Sequence, residues 1–223
     1  VVPDLVTSGL ETVGVRCPDH PLALALLRGS CTPLAAPSAN SFGRISPTTA
    51  DHVRDQLGNL VEVILDGGPC RIGVESTVLL VDPLPVILRP GGCTREQLEA
   101  ILKEPVATAG RNERAEHLPT QAPGMLASHY APVKPMTLRM PGEPWPKDPT
   151  IGVLAWQNVP LGSPAAIEVL SQAGDLTEAA SRLFACLRRL DASPATRLIA
   201  ELVPEIGLGA AINDRLRRAA GLG

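Results

Sequence analysis

The loop Ala36-Pro37-Ser38-Ala39-Asn40-Ser41-Phe42-Gly43-Arg44-Ile45-Ser46-Pro47 gathers hydroxyls, an amide, a guanidinium and a glycine between an apolar run and a helix start. Free N–H groups and the helix dipole at such a junction favour an anion, and Ser38, Asn40 and Ser46 add donors suited to phosphate oxygens. The same residues suit a local role, with Ser46 capping its helix and Ser38 and Asn40 satisfying turn backbone. A second stretch, Gly67 to Val78, sets Glu75, Ser76 and Thr77 in an otherwise apolar strand. A buried polar group without a partner costs about 1–3 kcal/mol, so these side chains face either solvent or a polar ligand. Arg16 and Arg89 stand at strand ends, where open α/β sheets contact ligands, and their planar forks suit carboxylate or phosphate as well as surface ion pairs. Tyr130, the one tyrosine, follows His129 in an aromatic-poor segment and either folds over a ligand or anchors that segment.

Other chemistries lack support. Gly207-Leu208-Gly209-Ala210-Ala211-Ile212 opens a helix, but Ile212 replaces the third glycine of a dinucleotide fingerprint. Walker A, HExxH, GxSxG and EF-hand patterns are missing, and His20, His52 and His117 have no ligand-like spacing. The 20 Lys and Arg against 23 Asp and Glu give a net charge of −3, so no global field draws the chain onto nucleic acid, and contact with tRNA or double-stranded RNA would be local and weak. Aromatic residues at 2% leave almost no stacking platforms for single strands. Five cysteines without a CxxC pair fit neither a disulfide framework nor a zinc site and are expected to be reduced, mostly buried thiols of a cytoplasmic protein. No apolar run approaches the roughly 20 residues that cross a bilayer.

The elements that must position these residues alternate. Strands are expected at Thr12–Arg16, Thr32–Ala36, Leu60–Leu65, Val74–Val81 and Pro85–Leu88. Helices are expected over Pro21–Leu27 after Asp19, over Thr48–Leu57 after Ser46, and to Leu102 after the Thr94/Gln97 capping box. Periodicity lapses from about Lys103 to Lys134. Beyond it, strands at Thr150–Trp156, Ile167–Ser171 and Leu198–Val203 surround a helix capped by Asp175, with Leu176, Ala179, Ala180, Leu183, Phe184, Leu187 and Leu190 on one face. The alternation is an α/β signature.

In combination, SGLETVGVRCPDHPLALAL, PLAAPSANSFGRISPTTADHV, DGGPCRIGVESTV, ILRPG and APGMLASHYAP occur in an order that resembles the two-domain L-threonylcarbamoyladenylate synthases of the YrdC family. The resemblance implies part of a YrdC-like twisted-sheet catalytic domain over residues 1–103, a linker over 104–134 and a small Rossmann-like domain over 135–223. Such enzymes join ATP, L-threonine and bicarbonate into threonylcarbamoyl-AMP and pyrophosphate, which feeds proteins that transfer the threonylcarbamoyl group to tRNA. By resemblance Thr12, Ser38, Asn40, Ser46, Arg89 and Tyr130 hold ATP or the adenylate, and Arg16, Ala36 and Ser76 hold threonine. Magnesium accompanies the ATP, and no side chain is singled out as a covalent catalyst. Family members carry further strands and a Lys-x-Arg element upstream of the point matching Val1. The chain is therefore expected to lack roughly half of the catalytic domain and to show weak synthase activity or none; the alternative is an impaired nucleotide- or RNA-binding homologue.

Overall fold

The computed structural model describes residues 2–7, 9, 11–109, 129–159 and 162–222. Among the described residues the α-helices are α1 (Asp4–Thr7), α2 (Pro21–Ser30), α3 (Ala50–Leu57), α4 (Arg95–Leu102), α5 (Leu176–Ala192) and α6 (Gly209–Ala219). A first, mixed sheet has β2 (Val86–Arg89) at its centre, antiparallel to β1 (Val78–Leu80) and parallel to β3 (Ala107–Thr108). A second sheet comprises β4 (Met136–Arg139), β5 (Ile151–Ala155), β6 (Ala166–Val169) and β7 (Arg197–Glu201), all parallel, in the order β4-β7-β5-β6. The molecule is thus α/β.

The second sheet builds the core. All five residues of β5 are buried, and their alternation sends Leu154 toward α5 and α6 while Ile151, Val153 and Ala155 form a smaller cluster with Ile199. The α5 stripe packs as its spacing predicts, with Ala179, Ala180, Leu183, Phe184, Leu187 and Leu190 buried. Asp175 caps it, accepting from Thr177 N at 2.7 Å. Both capping-box bonds of α4 form, Thr94 N to Gln97 Oε1 at 2.8 Å and Gln97 N to Thr94 Oγ1 at 3.3 Å.

Several local expectations are corrected. Thr12–Arg16, Thr32–Ala36 and Leu60–Leu65 are not strands, and Val74–Val81 shrinks to β1, because a strand exists only where a second segment completes its hydrogen bonds. Helix α3 is capped by Thr49, which accepts from His52 N at 3.3 Å, and Pro47 lies outside it. His20, not Asp19, caps α2, since Asp19 pairs with Arg71 at 2.6 Å. That helix runs past Gly29 to Ser30, and Cys31 takes the left-handed turn at φ 50°. Strands β3 (Ala107–Thr108) and β4 (Met136–Arg139) are not among the expected strands. The cysteines are mostly not buried: Cys17, Cys31 and Cys70 are exposed, Cys93 is half-buried and Cys186 alone is buried. Of the aperiodic stretch, residues 110–128 lie outside the described residues.

Candidate functional site

The polar residues of the two singled-out stretches meet at Glu75. Its Oε1 accepts the Ser46 hydroxyl at 2.7 Å, and its Oε2 accepts Arg215 Nε at 2.7 Å. Burial would raise the Glu75 carboxyl, but the charge and hydrogen bond of Arg215 and the Ser46 hydroxyl outweigh it and hold the group below the ordinary carboxylate range. Glu75 is therefore a committed anion with both oxygens engaged, unsuited to act as a general base.

Two glycines allow the approach. At Gly73, with φ +76°, a Cβ would lie 2.4 Å from the Ala180 carbonyl oxygen of α5, and at Gly91 one would lie 2.3 Å from the Glu75 carbonyl oxygen. Only a residue without a side chain brings the Glu75 loop against both α5 and the turn that follows β2.

Around Glu75 the structure collects some predicted residues and leaves others apart. Arg89, buried at the end of β2, donates Nη2 to the Ser76 carbonyl at 2.9 Å. Burial, then the charge of Arg215, lowers its guanidinium from the ordinary value. Tyr130 is 1% exposed, with its ring 5.6 Å from Phe184, 4.1 Å from His129 and 5.2 Å from the Arg215 guanidinium. Burial raises its phenol above the ordinary value, while Arg215 pulls the other way. The loop before Ser46 is tied to this region through Ala131 N, which donates to Gly43 O at 2.9 Å beside the Arg44–Ala131 bridge.

Ser46 corrects one expectation: its hydroxyl donates to Glu75 and Thr49 takes the cap of α3, so Ser46 is not the helix cap. Asn40 donates to the Ser41 and Arg44 carbonyls at 2.8 and 3.2 Å and thereby shapes the loop, while its buried Oδ1 has no hydrogen-bond partner. Thr12, Arg16, Ala36, Ser38 and Ser76 are exposed. Of these, Arg16 is near enough for its charge to act on Arg89.

Arg215 was missed in the sequence. A signal for it existed: Ile212, Arg215, Leu216 and Ala219 fall at i, i+3, i+4 and i+7, so a charge sits on the apolar stripe of α6 and demands a buried partner.

A neighbouring open groove of about 720 Å³ lies between α3, residues 131–133 and α5, with Arg44, His52, Asp55, Gln56, Arg188 and Asp191 in its walls. Burial, and then Arg188, lower the His52 imidazole below its ordinary value, so it is neutral at pH 7. Among the described residues no three His, Cys, Asp or Glu side chains are placed to hold a metal ion, and no helix is long and apolar enough to cross a membrane.

Comparison with known proteins gives a consistent result. A family model described as "Threonylcarbamoyl-AMP synthase, C-terminal domain" matches residues 93–221, and one described as "Telomere recombination" matches residues 1–91. Threonylcarbamoyl-AMP synthase of Bacillus subtilis (strain 168) is 41% identical over 227 residues, covering 97% of this chain and 65% of the relative. The Pyrococcus abyssi protein of the same name is 39% identical over 238 residues, covering 99% of this chain and 67% of the relative. The crystal structure of P. abyssi Sua5 complexed with L-threonine superimposes with a TM-score of 0.85 at 36% identity, over 100% of this chain and 68% of that one. The chain spans about two thirds of the length of these relatives.

Proposed function

The chain belongs to the threonylcarbamoyl-AMP synthase family, and from that membership we propose that it carries the family's activity: ATP, L-threonine and bicarbonate are converted to threonylcarbamoyl-AMP and pyrophosphate. The observation that carries this reading is the convergence of Ser46, Glu75, Ser76, Arg89 and Tyr130, from four separate stretches of sequence, on one junction.

In this reading the threonine amine attacks bicarbonate carbon, a C–N bond forms and water is lost. An oxygen of the resulting carbamate then attacks the α-phosphorus of ATP, and pyrophosphate leaves. The chain's part is positioning and charge. Arg16 binds the threonine carboxylate, with Ala36 and Ser76 contributing to the same pocket. Thr12, Ser38, Asn40 and Arg89 hold the nucleotide, and the orphaned Oδ1 of Asn40 supports a polar partner there. Ser46 contributes as an acceptor and as a support of Glu75, and Tyr130 closes the junction from the 129–134 segment. Magnesium accompanying the ATP would supply charge neutralisation on its phosphates, and among the described residues no cluster of three His, Cys, Asp or Glu side chains is placed to hold it.

We further propose a division into a catalytic unit over residues 1–103, a linker over 104–134 and a Rossmann-like unit over 135–223, supported by the parallel β4-β7-β5-β6 sheet with its own core. A cytoplasmic place, and partners that transfer the threonylcarbamoyl group to tRNA, follow from the reaction. The exposure of Thr12, Ala36 and Ser38 favours a second reading, a homologue that binds nucleotide without turnover.

Pyrophosphate release by this chain with ATP, with threonine and bicarbonate each present or omitted, tests both. Slow release that needs both co-substrates is expected. Release indifferent to either one overturns the synthase reading, and binding of ATP without release selects the second.

A further inference from the structure

We propose that Arg215 is a positioning residue for the substrate site, through which the C-terminal α/β unit fixes the geometry of the Glu75-Ser76 loop and Tyr130. This rests on the synthase reading above.

The side chain of Arg215 is fully buried. Taking a guanidinium out of water costs several kcal/mol unless its partners are well placed, and the stripe of α6 on which it sits is otherwise apolar. The partners repay that cost from distant parts of the chain. Nε reaches Glu75 Oε2 at 2.7 Å, Nη1 reaches the Pro90 carbonyl at 3.0 Å and Asp214 Oδ2 at 2.7 Å, and the guanidinium lies over the Tyr130 ring at 5.2 Å. Glu75 is 140 positions away in sequence and Pro90 is 125. One rigid fork thus sets three segments that share no secondary structure: the loop holding Ser76, the turn after Arg89, and the backbone at Tyr130, which adopts φ +62°.

Each collected site residue is one contact from that fork. Ser46 is held by Glu75, Ser76 adjoins it, Arg89 precedes Pro90 and donates to Ser76 O, and Tyr130 lies beneath the guanidinium plane. Nη2 is buried without a hydrogen-bond partner, so the fork retains one donor beyond its structural contacts. A lysine could meet the Glu75 charge but not the carbonyl and the ring at once, because its ammonium is a point and not a plane.

A residue that merely ties the two units together would lower stability and leave the folded protein's affinity unchanged. Arg215→Met and Arg215→Lys separate the roles. Circular dichroism and thermal unfolding establish the folded fraction, and calorimetry gives the affinity of that fraction for ATP and for threonine. Alkaline difference absorbance at 295 nm follows Tyr130, the only tyrosine of the chain. Weaker binding of both ligands by about tenfold or more is expected in folded R215M, the scale of one lost charge-assisted contact, with a smaller loss in R215K. Tyr130 is expected to ionise at higher pH in R215M, since the cation facing it is gone. Where R215M does not fold, R215K carries the test. Unchanged affinity in a folded variant overturns the proposal. Should the parent chain bind neither ATP nor threonine, the synthase reading falls and this proposal falls with it, whereas an unmoved Tyr130 titration in R215M overturns the Arg215 link on its own.

Discussion

Helices α2 and α5 are both expected from the sequence, and they end in opposite environments. The residues of α2, Pro-Leu-Ala-Leu-Ala-Leu-Leu-Arg-Gly-Ser, are the more apolar set, yet none of them is buried. In α5 seven residues are buried and pack against β5, β6 and α6. The difference extends to their surroundings: Leu5, Val15, Leu60 and Val63 are 92%, 88%, 80% and 73% exposed, whereas Val153, Leu170, Leu183 and Leu187 are wholly enclosed. Apolar content does not by itself make a core. A stripe stabilises the fold only where a sheet or helix faces it and displaces its water, and α5 has the parallel sheet beneath it.

The most severe way to break this comparison is Phe184→Ala, which opens a cavity in the enclosed core and is expected to cost about 3–5 kcal/mol, while Leu26→Ala on α2 stays within about 0.5 kcal/mol. Denaturant unfolding followed by circular dichroism measures both, and equal losses would erase the contrast. Next comes the junction between the regions. Glu75→Gln is expected to cost about 3 kcal/mol at pH 7, the low end for a broken buried pair, because the amide still accepts a hydrogen bond. The sign with pH follows from the direction of the shift. Glu75 ionises below its ordinary value of 4.5, so its contribution is complete above that pH and is lost as pH falls through the depressed value. Unfolding midpoints of parent and Glu75→Gln should therefore converge in acid, and a constant gap down to pH 2 would show that the carboxylate is not what matters.

A smaller effect isolates a purely local signal. Thr94→Ala removes the capping-box hydroxyl of α4 and is expected to cost about 1 kcal/mol in the same unfolding assay. Thiol chemistry, which need not change stability at all, maps the contrast directly. Cys186 is buried in the α5 core with its thiol pushed up to about 11 by burial and by Glu168, and should resist alkylation until the chain unfolds. Exposed Cys17 and Cys31 should react in the folded protein, and mass mapping of labelled peptides that found Cys186 among the early products would contradict the enclosed core.

Much of the region from β4 onward was legible because its signals are local. The Asp175 cap and the α5 stripe depend on residues within a turn or two of one another, and those hydrogen bonds form wherever the helix forms. The candidate site was legible only in part. Ser46, Asn40, Ser76 and Arg89 stood out as polar groups in apolar or loop settings, but their types fixed neither partner nor direction. The hydroxyl of Ser46 turned to Glu75 rather than to its own helix, and Thr49 took the cap.

Residue order therefore determined the α/β class and the capped helices α4 and α5, and it singled out polar groups without fixing their partners. Tertiary structure decided that Thr12–Arg16, Thr32–Ala36 and Leu60–Leu65 are not strands, that Tyr130 is enclosed, and that a buried arginine 140 positions away neutralises Glu75. The physical reason is one of range. Helix and cap bonds close within four residues, whereas ladders, buried ion pairs and cation–π contacts exist only once a distant segment arrives to complete them.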